Sequence, residues 1–292
     1  MKRGLKRSIP LLIILAFFNS MAHSQESNEI PSVYLPLLSR LSQEGFDPQP
    51  LSFMLSDPRA EINLSMLTVY LNLNSREAPE VYSQFLTPEL ILLSKKFLRE
   101  NMRTLRKMER HFQVDKEVVV AILLVESKFG ENIGKHRVIP TLASMALMDS
   151  PESLENNYRT LKEINPELTY EWLEGFARRK ASWAYEELKC FLRIIQHEKI
   201  DPLEVYGSYA GALGMPQFIP SSYVAYAMSE KSFESWLLNK EEAILSIGNY
   251  LKSHGWKKDF PIQKKRKILW YYNHSEPYVE TILQLAQKIK QK

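Results

Sequence analysis

Val118-Val119-Val120-Ala121-Ile122-Leu123-Leu124-Val125-Glu126-Ser127-Lys128-Phe129-Gly130 is the stretch whose reading decides the fold. Eight apolar residues run unbroken into a carboxylate, then a hydroxyl, a cation, a ring and a glycine. The β-branched valines would suit a buried strand, but the pattern from Asp115 to Phe129 is longer than a typical strand and predicts a buried helix. Asp115 is placed to cap its start, and Glu117 suits the positive end of the helix dipole. An acid at the end of such a helix loses solvation, which favours its neutral form. A carboxyl group protonated near neutrality can act as a general acid, and Glu126 is the candidate. The structural alternative is a glutamate that reaches the surface or pairs with an arginine.

The 292 residues suffice for one large domain or two modest ones, with the apolar and charged content of an ordinary globular chain. The formal charge of +4 does not imply nucleic acid. Lys2, Arg3, Lys6 and Arg7 supply all of it, and without residues 1–24 the chain is formally neutral. Those charges precede the apolar run Ile9–Phe18 and the small residues Ala22 to Ser24, the pattern of a secretory signal peptide. Residues 1–24 are therefore expected to direct export to the periplasm or cell envelope, with an uncleaved anchor as the alternative. No cysteine follows for lipid attachment. The single Cys190 has no internal disulfide partner and is expected to pack as a small hydrophobe.

Along the chain, helices are expected around Tyr34–Glu44 and Glu61–Leu71, with turns at Gly45-Phe46-Asp47-Pro48 and Asp57-Pro58. Ser75–Tyr82 reads as a loop. Thr87-Pro88-Glu89 starts a long helix expected to reach His111. A helix is expected around Pro140–Met148, irregular polar chain over Asp149–Pro166, and one or two helices over Leu168–Glu198. In the last of these Trp172, Phe176, Trp183, Leu188 and Leu192 are read as inward positions, although an exposed Trp could line a sugar cleft. Strand signals are sparse, so the fold class is mainly α.

Residues 206–223 form the second informative stretch. Gly207, Gly211, Gly214, Pro216 and Pro220 are too dense for a helix and would let backbone approach a ligand closely. Gln217 adds an amide between the apolar walls Met215 and Phe218, which suits a neutral sugar. The structural alternative is a compact turn and a helix capped by Ser221 or Ser222. A phosphate cradle fails for want of a suitably placed lysine. A third cluster, Trp270 to Tyr278, combines aromatic platforms with Asn273. The histidines have no metal-ligand spacing, so neither metal nor cofactor is expected.

These blocks resemble the membrane-bound lytic murein transglycosylase B family. The resemblance rests on Glu126-Ser127-Lys128-Phe129-Gly130 with Gly134-Lys135, on Gly207–Tyr223, and on Tyr272-Asn273-His274-Ser275 followed by Tyr278. It reaches more weakly to Gly45-Phe46-Asp47, Asn249-Tyr250 and His254-Gly255-Trp256. It implies a lysozyme-like catalytic domain over 87–292, with a helical region over 25–86 packed on it. It also implies cleavage of the β-1,4 bond between N-acetylmuramic acid and N-acetylglucosamine in peptidoglycan, leaving 1,6-anhydromuramoyl ends. Glu126 would serve as the single acid and base, with the substrate's N-acetyl group assisting. Ser208 and Asn273 would orient Glu126 or that N-acetyl group. Gln217, Tyr223, Tyr272 and Tyr278 would contact the glycan, with Phe129 as an apolar wall.

Two departures stand out. Ala227–Phe233 lacks the acids and glycine of the calcium loop that some members carry. Asp149–Arg179 is longer than the family's usual connection. The resemblance further implies a monomer whose partners are glycan strands and, beyond them, proteins of cell-wall synthesis or division. Glu131, Asp149 and Asp201 all read as polar-sited, so no second acid matches Glu126. A hydrolytic muramidase would need one, and a non-catalytic peptidoglycan-binding scaffold would need no acid at all.

Overall fold

Thr87, Ser150, Thr169, Asn239 and Ser275 each turn a side-chain oxygen back onto the first turn of a helix. Each cap satisfies backbone donors that helix geometry leaves orphaned. A computed structural model describes residues 29–74, 79–196 and 198–291. The expected signal segment, residues 1–24, lies outside them.

The described chain is mainly helical, as expected. In order it forms α1 (Leu35–Gln43), α2 (Pro48–Ser56), α3 (Met66–Asn74), α4 (Pro79–Ser83), α5 (Pro88–Glu100), α6 (Met102–Phe112) and α7 (Lys116–Ser127). There follow β1 (His136–Arg137), α8 (Val138–Ala146), α9 (Pro151–Ile164), α10 (Tyr170–Ile195) and β2 (Tyr206–Gly207). The chain ends with α11 (Pro220–Tyr226), α12 (Phe233–Trp236), α13 (Lys240–Ser253), α14 (Ile262–Tyr272) and α15 (Glu276–Lys290). The two short strands pair antiparallel, with His136 opposite Gly207 and Arg137 opposite Tyr206.

The helix α7 is the buried axis. Every residue from Val118 to Leu124 is buried, and α15, α5, α6 and α13 pack around it. Burying an aliphatic side chain contributes about 1.5–3 kcal/mol, so this one helix supplies much of the drive for the domain to close. Asp115 sits at its N-cap but makes no capping bond. Its carboxylate accepts instead from Trp256 Nε1 at 3.2 Å and Lys265 Nζ at 2.8 Å, tying the start of α7 to the loop before α14 and to α14 itself.

Several expectations require correction. The long helix from Thr87 is two helices, because Asn101 bonds its own side-chain amide to the Phe97 carbonyl and leaves helical geometry. Asp149–Pro166 is not irregular: Ser150 and Pro151 start α9. Asp47 and Pro48 likewise start the unexpected α2, with Asp47 accepting from the Gln49 amide. Both misses carry the cap-then-proline signal that marks Thr87-Pro88. Ser75–Tyr82 is not all loop, since α4 begins at Pro79. The expected helix at Glu61–Leu71 starts only at Met66. Trp172 is not inward but half exposed, and Cys190 is only half-buried.

The N-terminal helices bind to the later chain through specific polar contacts. Glu44 takes bonds from Tyr185 and Lys189 on α10. Arg59 bridges Asp57, Asp201 and Glu204, and Asn157 on α9 accepts from the backbone and hydroxyl of Thr68 on α3.

Candidate active site

The helix α7 ends abruptly. Lys128, Phe129 and Gly130 take φ values of 47°, 62° and 95°, three left-handed residues in succession. Two of them carry side chains that this region disfavours, a strain that concentrates at functional sites. The Phe129 amide wraps back to the Leu123 carbonyl, and the Gly130 amide donates to Ser127 Oγ at 3.0 Å. Ser127 Oγ in turn donates to the Met215 carbonyl at 2.9 Å. Glu126 therefore occupies the last turn of a buried helix, directly beside a reversal clamped to the 208–219 loop.

That loop is sewn down at further points. Gln217, itself left-handed at φ 51°, donates through Nε2 to the Gly214 carbonyl at 2.8 Å and the Ile133 carbonyl at 3.2 Å. A Cβ on Gly134 would stand 1.9 Å from the Gly207 carbonyl oxygen, so backbone meets backbone there and only glycine fits. Ser208 Oγ accepts from the amides of Ala210 and Ala212, which closes the start of the loop.

Glu126 keeps some access to solvent, yet protein surrounds its carboxyl group closely enough to push its pKa up to about 7. Burial is the larger influence, and a hydrogen bond from Tyr278 opposes it. The Tyr278 hydroxyl donates to Glu126 Oε1 at 2.7 Å. Tyr272 stacks nearly parallel to Tyr278, with centroids 6.4 Å apart, and donates its own hydroxyl to the Pro216 carbonyl at 2.6 Å. Burial and the Glu126 charge hold both phenols well above their usual range, so they remain donors.

The turn between α14 and α15 sets this pair. Asn273 ends α14, and its carbonyl accepts from the Ser275 amide at 2.8 Å while Ser275 caps α15. Phe129 stacks on Phe97 of α5 at 4.2 Å, an apolar wall beside the acid. Sequence reasoning missed Tyr82 of α4, which packs edge-on against Tyr278 at 6.0 Å. Phe218, read as an apolar wall of the loop, and Tyr250 pack against Tyr272. Tyr82 lay in a stretch without periodicity and carried no signal.

The expected residues thus separate. Glu126, Tyr278, Tyr272 and Phe129 gather at the end of α7. Ser208 and Gln217 shape the adjoining loop, and Asn273 shapes the α14–α15 turn. Tyr223 packs its ring against Phe233 and Trp236, and the acids that act on it are Glu198 and Glu242.

The reading of Asp149 as polar-sited also needs correction. Burial raises Asp149 and Glu187 as well. Glu187, however, spends its oxygens on the Ser221 amide and hydroxyl, both at 2.8 Å, and so holds the start of α11 in place of Ser221 or Ser222. Ile219 occupies the N-cap position there. Among the described residues, no group of three or more His, Cys, Asp or Glu side chains is arranged to hold a metal ion. A cavity of about 820 Å³ between the α1–α2 turn and the end of α10 shares no lining residue with the Glu126 cluster.

Residues 35–268 match the model of the transglycosylase SLT domain. The chain belongs to that family. It is 28% identical over 236 residues to the membrane-bound lytic murein transglycosylase B of Escherichia coli (strain K12), covering 75% of this chain and 55% of the relative. The chain thus spans about half the length of that curated relative. In fold it is similar to the lytic transglycosylase Slt35 of Escherichia coli, solved in complex with calcium, with a TM-score of 0.69 at 23% identity over 92% of this chain and 98% of that one. It is also similar to SltB3 of Pseudomonas aeruginosa, solved in complex with NAG-anhNAM-pentapeptide. There the TM-score is 0.65 at 18% identity over 89% of this chain and 80% of that one.

Proposed function

We propose that this chain is a peptidoglycan lytic transglycosylase, cutting the β-1,4 bond between N-acetylmuramic acid and N-acetylglucosamine and leaving 1,6-anhydromuramoyl ends. The observation that carries the reading is Glu126: a carboxyl group raised to about 7 by burial, bonded to a tyrosine, in a family of transglycosylases. The two influences on its pKa are burial and Tyr278, and neither is a second carboxylate.

The chemistry follows from one acid acting twice. Protonated Glu126 gives its proton to the glycosidic oxygen as the bond to C1 of the muramoyl ring breaks. The acetamido oxygen of that ring stabilises the cation at C1, the substrate-assisted exception to the two-carboxylate scheme. Glu126, now anionic and held by Tyr278, takes the proton from the 6-hydroxyl as that oxygen bonds to C1. The acid is regenerated and no water is consumed. The Phe129–Phe97 stack and the Tyr272–Tyr278 pair keep the surroundings apolar enough for a neutral acid.

In this reading Ser208 and Asn273 orient Glu126 or the N-acetyl group, and Gln217 and Tyr223 contact the glycan further along. The 25–86 region and the 87–292 domain act as one unit, since α4 delivers Tyr82 to Tyr278. Glu126, Tyr278, Tyr272 and Phe129 all come from one chain, which supports action as a monomer. The basic and apolar residues 2–18 support export to the envelope, where the substrate lies.

The test is mass spectrometry of purified peptidoglycan digested by the protein and by Glu126→Gln. Anhydromuropeptides are expected from the first and not from the second. Reducing ends that carry added water would overturn the transglycosylase reading.

A further inference from the structure

Trp172, in the first turn of α10, is 50% exposed, and its indole lies parallel to Phe176 with centroids 5.3 Å apart and planes at 11°. Phe176 touches Tyr70 of α3 at 6.2 Å, and Tyr70 touches Tyr209 at 6.3 Å. Tyr209 follows Ser208 in the loop sewn to the end of α7. Four partly exposed rings therefore run in successive contact from the loop sewn to the end of α7, across α3, to α10. Lys180, one turn beyond Phe176, donates to the Tyr70 hydroxyl at 2.8 Å and sits 4.8 Å from the centroid of that ring, fixing the middle rung.

Trp172, Phe176 and Lys180 share one face of α10 by their four-residue spacing, while Leu173, Ala177 and Ala181 bury the neighbouring face. A single exposed apolar residue needs no explanation, but a row of rings in successive contact that reaches the loop sewn to the end of α7 does.

We propose that this row is a distal glycan subsite that holds the polysaccharide strand away from the scissile bond. The inference rests on the proposed glycan substrate and adds where that strand runs. Pyranose rings present flat faces of C–H groups, which pack on the electron-rich faces of aromatic rings. The row advances in steps of 5.3 to 6.3 Å along α10, α3 and the loop after Ser208, with planes 11° apart at the outer pair and 51° and 59° apart at the inner ones. It carries no acid or base and lies outside the Glu126 cluster, so its contribution is remote binding energy for long substrates. Its outermost rungs, Trp172 and Phe176, lie within 149–179, the segment read from the sequence as longer than the family's usual connection.

The experiment compares wild type, Trp172→Ala and Trp172→Phe on purified uncrosslinked glycan strands and on a muropeptide tetrasaccharide. Trp172→Ala is expected to raise KM on strands by roughly threefold to tenfold, at least three times its effect on the tetrasaccharide, with kcat on strands little changed. Trp172→Phe should restore most of the loss. Equal effects on both substrates, or none on strands, would overturn the subsite. Co-sedimentation of Glu126→Gln with the same strands, with and without Trp172→Ala, reads binding without catalysis. A wild type that releases no products but whose Glu126→Gln form loses strand binding on Trp172→Ala would overturn the proposed reaction and keep the subsite. Strand binding unaffected by Trp172→Ala would overturn the subsite whatever the reaction proves to be.

Discussion

Tyr278 and Glu126 stand 152 residues apart in the chain and 2.7 Å apart in the fold, the phenol donating to the carboxylate. The bond couples the first turn of α15 to the last turn of α7, two helices that pack along each other through the core. It also sets the acid's poise. Burial alone would drive the Glu126 pKa higher, and the phenol draws it back by stabilising the charged form. The acid is left near 7, where it can both give and take a proton.

Replacing Tyr278 with Phe should therefore move Glu126 upward. The donor that favours the carboxylate is lost and burial remains, so the basic limb of the pH profile of kcat/KM should shift to higher pH by roughly one unit. Turnover at the optimum should also fall, because the carboxylate formed after proton transfer loses its partner. A profile that keeps its basic limb would show that this bond does not tune the acid.

Glu126→Gln should abolish most turnover, a loss of about 10²–10⁴-fold for a general acid, yet stabilise the fold at neutral and alkaline pH. The native carboxyl group, at about 7, holds its proton over a range in which the unfolded one, near 4.5, has released it. Native protein thus binds more protons there, and its stability falls as pH rises from about 4.5 to about 7, then levels. The variant escapes that loss. Its advantage should be absent below pH 4 and reach roughly 3 kcal/mol above pH 7, read from urea melts across pH. A constant difference would mean that the acid is not perturbed.

Gly134→Ala tests the clamp beneath the loop. At φ 99° any side chain is strained, and this Cβ would strike the Gly207 carbonyl, which cannot rotate away. A loss of more than about 2 kcal/mol is expected, with activity falling at temperatures below the melt as the 208–219 loop shifts. Gly45→Ala is the matched control: its φ is 89° but open space surrounds it, so only the backbone cost of about 1 kcal/mol should appear. Similar losses at both positions would remove the case for close backbone approach at Gly134.

Glu126 was legible because its signal is local: eight apolar residues leave an acid nowhere polar to sit. The α5 start was legible for the same reason, through Thr87 and Pro88. The same signal at Ser150-Pro151 was masked by the polar residues around the apolar stripe that α9 turns inward through Leu154 and Leu161. The break at Asn101 depends on a side chain choosing its own backbone over solvent, a contest that composition does not decide. Tyr82 was illegible for a different reason. Its partner lies almost two hundred residues on, and only the docking of α4 against α15 brings the rings together. The spread of Ser208, Gln217 and Tyr223 shows the limit of motif reading: one contiguous block holds residues with distinct structural duties.

Glu187 decides between one acid and two. A hydrolytic mechanism would need a second carboxylate, and Glu187 on α10 is buried, with its pKa raised by that burial. Both its oxygens nevertheless accept from Ser221, so it anchors the start of α11 and has no share in the electrostatics of Glu126. Removing it in Glu187→Ala should leave the Ser221 amide and hydroxyl unsatisfied and cost about 1–3 kcal/mol. Glu187→Gln, which keeps one acceptor and the shape, should cost less. Below the melting temperature both variants should still release anhydromuropeptides, with the basic limb of the pH profile where wild type has it. Loss of turnover in Glu187→Gln without loss of stability would instead make Glu187 a partner in the chemistry, and the single-acid mechanism would fail.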